Sequence, residues 1–320
     1  MSINATPHGN PSQDQRPFTI VLFGRRCTQT IITLRRMLHE DLTVAAVLVP
    51  SQRDFGPTVR LVPTKQVLPI ATRDAIAGAE TLDQIANKNG TPLYDVRRPI
   101  AGDVRDLVAE CSPDLIVVSC FPWRIPDRIS RLATSGAVNV HPSMLPNFRG
   151  PDPLFWALKT GAMTWGVTVH RLTSRLDAGP ILRQREFAVT PNVIERGLET
   201  VASEVGAEAL VDAINDIRAG SARPIKQDET QASHHEYPNE ADLEIRSDWT
   251  VQRALNFARG VIQLGYEPIV VTDRGPLIVR DARPASKHRL AADAEGHVPE
   301  RIVVQFRDGS VEFQVGQLSR

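Results

Sequence analysis

The sequence predicts an α/β protein: a parallel sheet with helices on both faces, followed by a smaller β-rich domain. Three observations carry this. Up to about residue 220, short β-branched runs alternate with segments whose apolar residues recur at three and four. Beyond about residue 240, one amphipathic helical pattern precedes four β-rich runs. A chain of 320 residues is also long enough for roughly two cores.

The elements follow in order. Residues 1–16 are polar and read as a disordered tail, with neither a signal peptide's apolar core nor an Arg-rich amphipathic pattern. Residues 18–23 (FTIVLF) form a strand that ends at Gly24, and a helix follows through Ile31, Leu34 and Leu38. A second strand spans 42–49. A long connection with three prolines leads from Ser51 to about Thr81 and a helix over 82–87. Residues 114–119 (DLIVVS) read as a buried strand, 137–140 as a shorter one, and 166–170 and 181–187 as two more. Thr190 and Pro191 open a long helix in which Leu198, Val201, Val205, Leu210, Ile214 and Ile217 share a face, and Gly220 stops it. The domains predicted are therefore 17–220, a polar linker over 221–239 and a β-rich domain over 240–320, with a helix over 248–264 and strands at 268–272, 276–279, 301–306 and 311–315.

Composition excludes several classes. Lys plus Arg and Asp plus Glu are 37 each, so no general field gathers nucleic acid or anionic membrane. Cys27, Cys111 and Cys120 are scattered and lack CxxC spacing, which supports neither a disulfide framework nor a zinc site and suits a reducing cytoplasm. No apolar run approaches the roughly 20 residues that span a bilayer. FTIVLFG invites a dinucleotide-binding reading, but GRRCTQT after it lacks the further glycines that let backbone approach a pyrophosphate. His234 and His235 sit side by side in the polar linker and read as a solvated loop.

Chemistry concentrates in VNVHPSMLPNFRGPDP, residues 138–153. Asn139 and His141, two apart at the carboxyl end of a strand, put an amide and an imidazole on one sheet face, where ligands of open α/β sheets bind. Alone, the pair reads as a strand end and a packed histidine. It gains weight from RGPDPLFWAL, GVTVH and RLDAGPIL downstream, the last placing Asp177 in a turn between two strands.

Taken together, NVHPSMLPNFRG, GVTVH and LDAGPIL resemble the pattern of the folate-dependent formyltransferases, which move a formyl group from 10-formyltetrahydrofolate to an amine. The resemblance covers about residues 18–220 and continues more faintly, in the manner of methionyl-tRNA formyltransferase with its appended β-barrel domain. It implies a Rossmann-like formyltransferase domain, an OB-like barrel after it, a cytoplasmic enzyme, no metal, and a catalytic trio of Asn139, His141 and Asp177. In that trio Asn139 and a protonated His141 donate to the developing oxyanion, and Asp177 holds His141 charged and takes a proton from the amine. SCFPWRIP matches the segment that wraps the pterin ring, making Trp123, Arg124 and Ile125 candidate folate contacts, with Leu176 and Gly179 touching the same ring. Ser143, Arg149 and Gly150 are candidate acceptor contacts.

The acceptor stays open at this point. Relatives with this architecture formylate Met-tRNA, but their basic insertion loop is represented only by Arg53, Arg60, Lys65 and Arg73 among acids, and HHEYPNEADLEI is acidic where they carry a lysine. Weakened phosphate neutralisation leaves amino sugars or amino-acid-derived amines as alternatives. Water as acceptor would make a formyltetrahydrofolate hydrolase. The free-standing hydrolases usually carry a regulatory domain in front, whereas here the sheet begins within about twenty residues of Met1. A non-catalytic folate-binding homologue is the remaining alternative.

Overall fold

A computed structural model describes residues 16–51, 58–62, 80–98, 100, 102–273, 275–285 and 300–317. Arg53, Lys65, Arg73 and nearly all of the expected tail lie outside the described residues. The elements are β1 (Thr19–Gly24), α1 (Thr28–His39), β2 (Thr43–Pro50), β3 (Val59–Leu61), α2 (Leu82–Lys88), β4 (Leu93–Val96), α3 (Gly102–Glu110), β5 (Leu115–Ser119), α4 (Asp127–Ser130), β6 (Ala137–His141), α5 (Pro153–Thr160), β7 (Thr164–Arg171), β8 (Ile181–Ala188), α6 (Pro191–Arg196), α7 (Leu198–Arg218), α8 (Val251–Gln263), β9 (Ile269–Thr272), β10 (Gly275–Pro284), β11 (Arg301–Phe306) and β12 (Gly309–Gln317).

Strands β3, β4, β2, β1, β5, β6, β7 and β8 lie side by side in that order. The five from β4 to β6 run parallel, as βαβ crossovers require. The sequence predicts a parallel sheet, and the structure departs from it at both edges. β3 runs against β4, β7 against β6 and β8 against β7, because β7 and β8 form an antiparallel pair joined by the turn that carries Asp177. Five elements, β3, β4, α3, α4 and α5, have no counterpart in the sequence reading. β4 is four residues long, and α3 buries only Val104 and Val108.

Alternation along β6 decides where the site sits. Val138 and Val140 face α1 and α7 in a core with Leu22, Leu34, Leu210 and Ile214. Ala137 belongs to the opposite core, with Phe23, Val118, Ile125 and Ile129. By the period of two, Asn139 and His141 share Ala137's face. The predicted single helix is two, α6 and α7, divided at Gly197, whose φ of 92° breaks the helical path. Thr30 fills the β1–α1 turn: its hydroxyl accepts from the Arg25 N–H and donates to the Ser119 carbonyl, where a phosphate cradle would need open space.

The β-rich region is a four-stranded antiparallel sheet in the order β11, β12, β10, β9, an open half-barrel among the described residues rather than a closed one. It shares the larger core: Phe155 of α5 meets Phe257 of α8 edge-on at 5.8 Å and Tyr266 at 5.0 Å. Arg253 also donates to the Lys159 carbonyl across the same seam at 2.7 Å. Among the described residues no helix is long and apolar enough to cross a membrane.

Candidate active site

Cross-strand register brings the site together. On the antiparallel β6–β7 ladder Asn139 stands opposite His170, and His141 opposite Thr168. Residues opposite each other project to one face, so Asn139, His141 and His170 converge. The β7–β8 turn then folds Asp177 over them.

Ring partners fix which nitrogens carry hydrogen. His170 Nδ1 lies 2.9 Å from the Arg171 carbonyl, which can only accept, so Nδ1 donates. Its Nε2 is left to accept from the Asn139 amide nitrogen at 3.2 Å. Burial holds His170 neutral, pushing it down to about 4 against the attraction of Asp177 and with added repulsion from His141. A neutral His170 therefore also sets the orientation of the Asn139 amide. His141 Nε2 donates to the Phe148 carbonyl at 2.9 Å, and its Nδ1 faces Asp177 Oδ2 at 3.8 Å. The other Asp177 oxygen stands 3.7 Å from His170 Nε2. Both separations exceed hydrogen-bonding distance. One Asp177 oxygen accepts the Gly150 N–H at 3.0 Å. Asp177 itself is buried, with φ of 50° in the left-handed region.

The other predicted positions divide. Ile125 and Ala137 line a cleft of about 540 Å³ with Leu172, Thr173 and Ser174. Trp123 and Arg124 are not among its walls: Trp123 packs edge-on against Phe121 at 5.3 Å, and exposed Arg124 pairs with Asp127 at 2.8 Å. Leu176 is exposed beside Asp177. Gly179 permits a close approach, since a Cβ there would stand 1.7 Å from the Arg171 carbonyl oxygen.

The side chains of Ser143 and Arg149 do not reach solvent, and both are engaged within the protein. The Ser143 hydroxyl donates to the Asn147 carbonyl at 2.9 Å. The Arg149 guanidinium binds Gln227 and Glu229. Gly150 supplies its N–H to Asp177, as noted. Nor is His235 a solvated loop residue: it stacks on Phe148 at 4.9 Å and meets Trp156 at 4.6 Å. Arg60 is ion-paired with Asp95 at 2.7 Å, and Asp95 also takes Arg26 at 3.0 Å. Cys120 has a neighbour the sequence did not reveal. Interaction with the Cys27 thiol, together with burial, pushes the Cys120 thiol up, and the same interaction brings Cys27 down to about 6.

His170 is the site residue that the sequence reading passed over. Its signal was present in GVTVH, where it ends a buried strand with an imidazole. Among the described residues no cluster of three or more His, Cys, Asp or Glu side chains is placed to hold a metal ion.

The chain is similar to known proteins. Residues 22–214 match the family model described as formyl transferase. A methionyl-tRNA formyltransferase from Chlorobium chlorochromatii is 30% identical over 281 residues, covering 87% of this chain and 89% of that one. Among solved structures, an N-formyltransferase from Helicobacter canadensis, crystallised with folinic acid and dTDP-3-aminofucose, superposes with a TM-score of 0.62 at 15% identity, covering 94% of this chain and 100% of that one. A HypX variant from Aquifex aeolicus superposes with a TM-score of 0.59 at 17% identity, covering 93% of this chain, which spans only 44% of HypX. The match over most of the catalytic sheet and over nearly the full length of the Chlorobium relative places this chain in the formyl transferase family.

Proposed function

We propose that this enzyme transfers a formyl group from 10-formyltetrahydrofolate to a primary amine at Asn139, His141 and Asp177. The observation that carries the reading is the convergence of these side chains at the sheet face that Ala137 shares, and Ala137 lines the cleft with Ile125 and Leu172. A pterin seated in that cleft brings the formyl group on N10 to the Asn139 end of the same sheet face.

The steps follow from the contacts. The amine nitrogen attacks the formyl carbon, and charge develops on the formyl oxygen. Asn139 is held by His170 through one amide N–H, so its second can meet that oxygen. With the His141 Nε2–H committed to Phe148, a proton on Nδ1 gives Asp177 a partner and places positive charge beside the oxyanion. Asp177, directly or through one water across its open gap, removes the amine proton. The bond from carbon to N10 then breaks, the proton taken up by Asp177 passes to N10, and a formamide and tetrahydrofolate leave.

For the acceptor, the Chlorobium relative's name supports Met-tRNA. A small amine, such as an amino sugar or amino-acid derivative, is the second reading. It is favoured by Arg60, whose charge is engaged by Asp95, and by the acidic stretch HHEYPNEADLEI. The test incubates 10-formyltetrahydrofolate with charged initiator tRNA in competition with a panel of small amines, following tetrahydrofolate release. Release that needs an amine supports transfer and identifies the acceptor. Release without one means a hydrolase, and none under any condition means a binding protein.

A further inference from the structure

We infer that Gln227, in the segment joining the two domains, is a positioning residue that holds the Asp177 turn in register with the 145–150 loop. This rests on the proposed role of Asp177. The segment is anchored rather than loose. Ser233 accepts from the Phe148 N–H through its hydroxyl at 2.8 Å and from the Arg149 N–H through its carbonyl at 2.9 Å, and the His235 N–H donates to the Arg149 carbonyl at 2.9 Å. A Cβ on Gly150 would stand 2.2 Å from the His235 carbonyl oxygen, so the strands touch backbone to backbone.

Gln227 sits at the centre of this contact and is 4% exposed. Its amide nitrogen donates to the Asp177 carbonyl at 2.8 Å and to the Gly179 carbonyl at 2.7 Å. Its amide oxygen accepts from Arg149 Nε at 3.1 Å and Nη2 at 2.6 Å. The amide orientation is unambiguous, because carbonyls only accept and a guanidinium only donates. Both donors and both lone pairs are thus used, on the two segments that carry Phe148, Gly150 and Asp177. Asp177 sits in the left-handed region, so its backbone needs outside restraint. Gln227 acts on the carbonyl of Asp177 itself and on that of Gly179, two residues on.

Two variants separate this role from simple packing. Q227E keeps the volume and the Arg149 partner but cannot donate to the two carbonyls. Q227M keeps only the shape. With the best acceptor from the panel, each should lower kcat by roughly tenfold to a hundredfold, with KM for 10-formyltetrahydrofolate within a few-fold. In a D177N background the same changes should have almost no further effect. Independently of turnover, amide hydrogen exchange over residues 176–180 should accelerate in Q227E.

Wild-type kcat in Q227E, equal fractional losses with and without D177N, or unchanged exchange in the turn would each overturn the inference. Wild-type turnover in D177N alone would instead sink the proposed function. Should Q227M fail to fold, Q227E, with its Arg149 contact retained, carries the test.

Discussion

Lowering the pH should unfold this protein in part through His170. The ring is buried and neutral, with Nδ1 donating to the Arg171 carbonyl and Nε2 accepting from Asn139. In the unfolded chain it takes a proton near 6.5, whereas in the fold it does so only near 4. Between those values the unfolded state binds more protons, so stability is complete above 6.5 and falls as the pH drops toward 4. At about 1.4 kcal/mol per pH unit, the loss over that interval is roughly 3 kcal/mol. Urea unfolding across the interval should show this loss, and H170Q, whose amide can still accept from Asn139 without titrating, should lack it. Ring-nitrogen NMR should find a neutral His170 protonated at Nδ1 well below pH 6.5. A ring titrating at or above its ordinary value, or equal pH slopes for H170Q and wild type, would refute the reasoning.

Other perturbations test neighbouring links. N139A should lower kcat by about 10² to 10³ while 5-formyltetrahydrofolate affinity, read by calorimetry, stays within a few-fold; undiminished turnover would remove Asn139 from the chemistry. G150A, at a φ of 102° and against the His235 carbonyl, should cost about 2 kcal/mol in urea unfolding, and an unchanged midpoint would contradict the close approach. Arg149 first and Arg175 second hold the Glu229 carboxyl down to about 2. Their contribution is therefore present above about 4.5 and lost as the pH falls toward 2, and E229Q should flatten that acid limb of the unfolding curve. F155A, which empties a fully buried ring site between Phe257 and Tyr266, should cost about 3 to 5 kcal/mol by chemical denaturation.

Much of this was legible because it is local. Residues 18–23 and 114–119 are apolar enough to be buried strands on sight. The i, i+2 spacing of Asn139 and His141 is enough to assign them one face. The pattern from NVHPSMLPNFRG to LDAGPIL was enough to place Asp177 with them. The misses have local causes too. LYDV is a short run interrupted by an aspartate, and Gly197 inside a helix-period stretch carries no sign that it divides two helices rather than being tolerated in one. Arg149 read as a candidate acceptor contact, and nothing adjacent to it in the sequence is acidic. Its partners lie 78 and 80 residues away.

The sequence by itself determined the order of elements, the α/β architecture with its β-rich extension, and the residue types offered for acyl transfer, since periodicity and short-range spacing need no knowledge of who neighbours whom. Only the tertiary structure decided that a buried, neutral His170 accepts from Asn139, that the Arg149 and Ser143 side chains are buried, and that Gln227 donates to the turn that carries Asp177. Those outcomes depend on desolvation and on hydrogen bonds between segments tens of residues apart. Both quantities come into being only when the chain has folded and water has been excluded from between its parts.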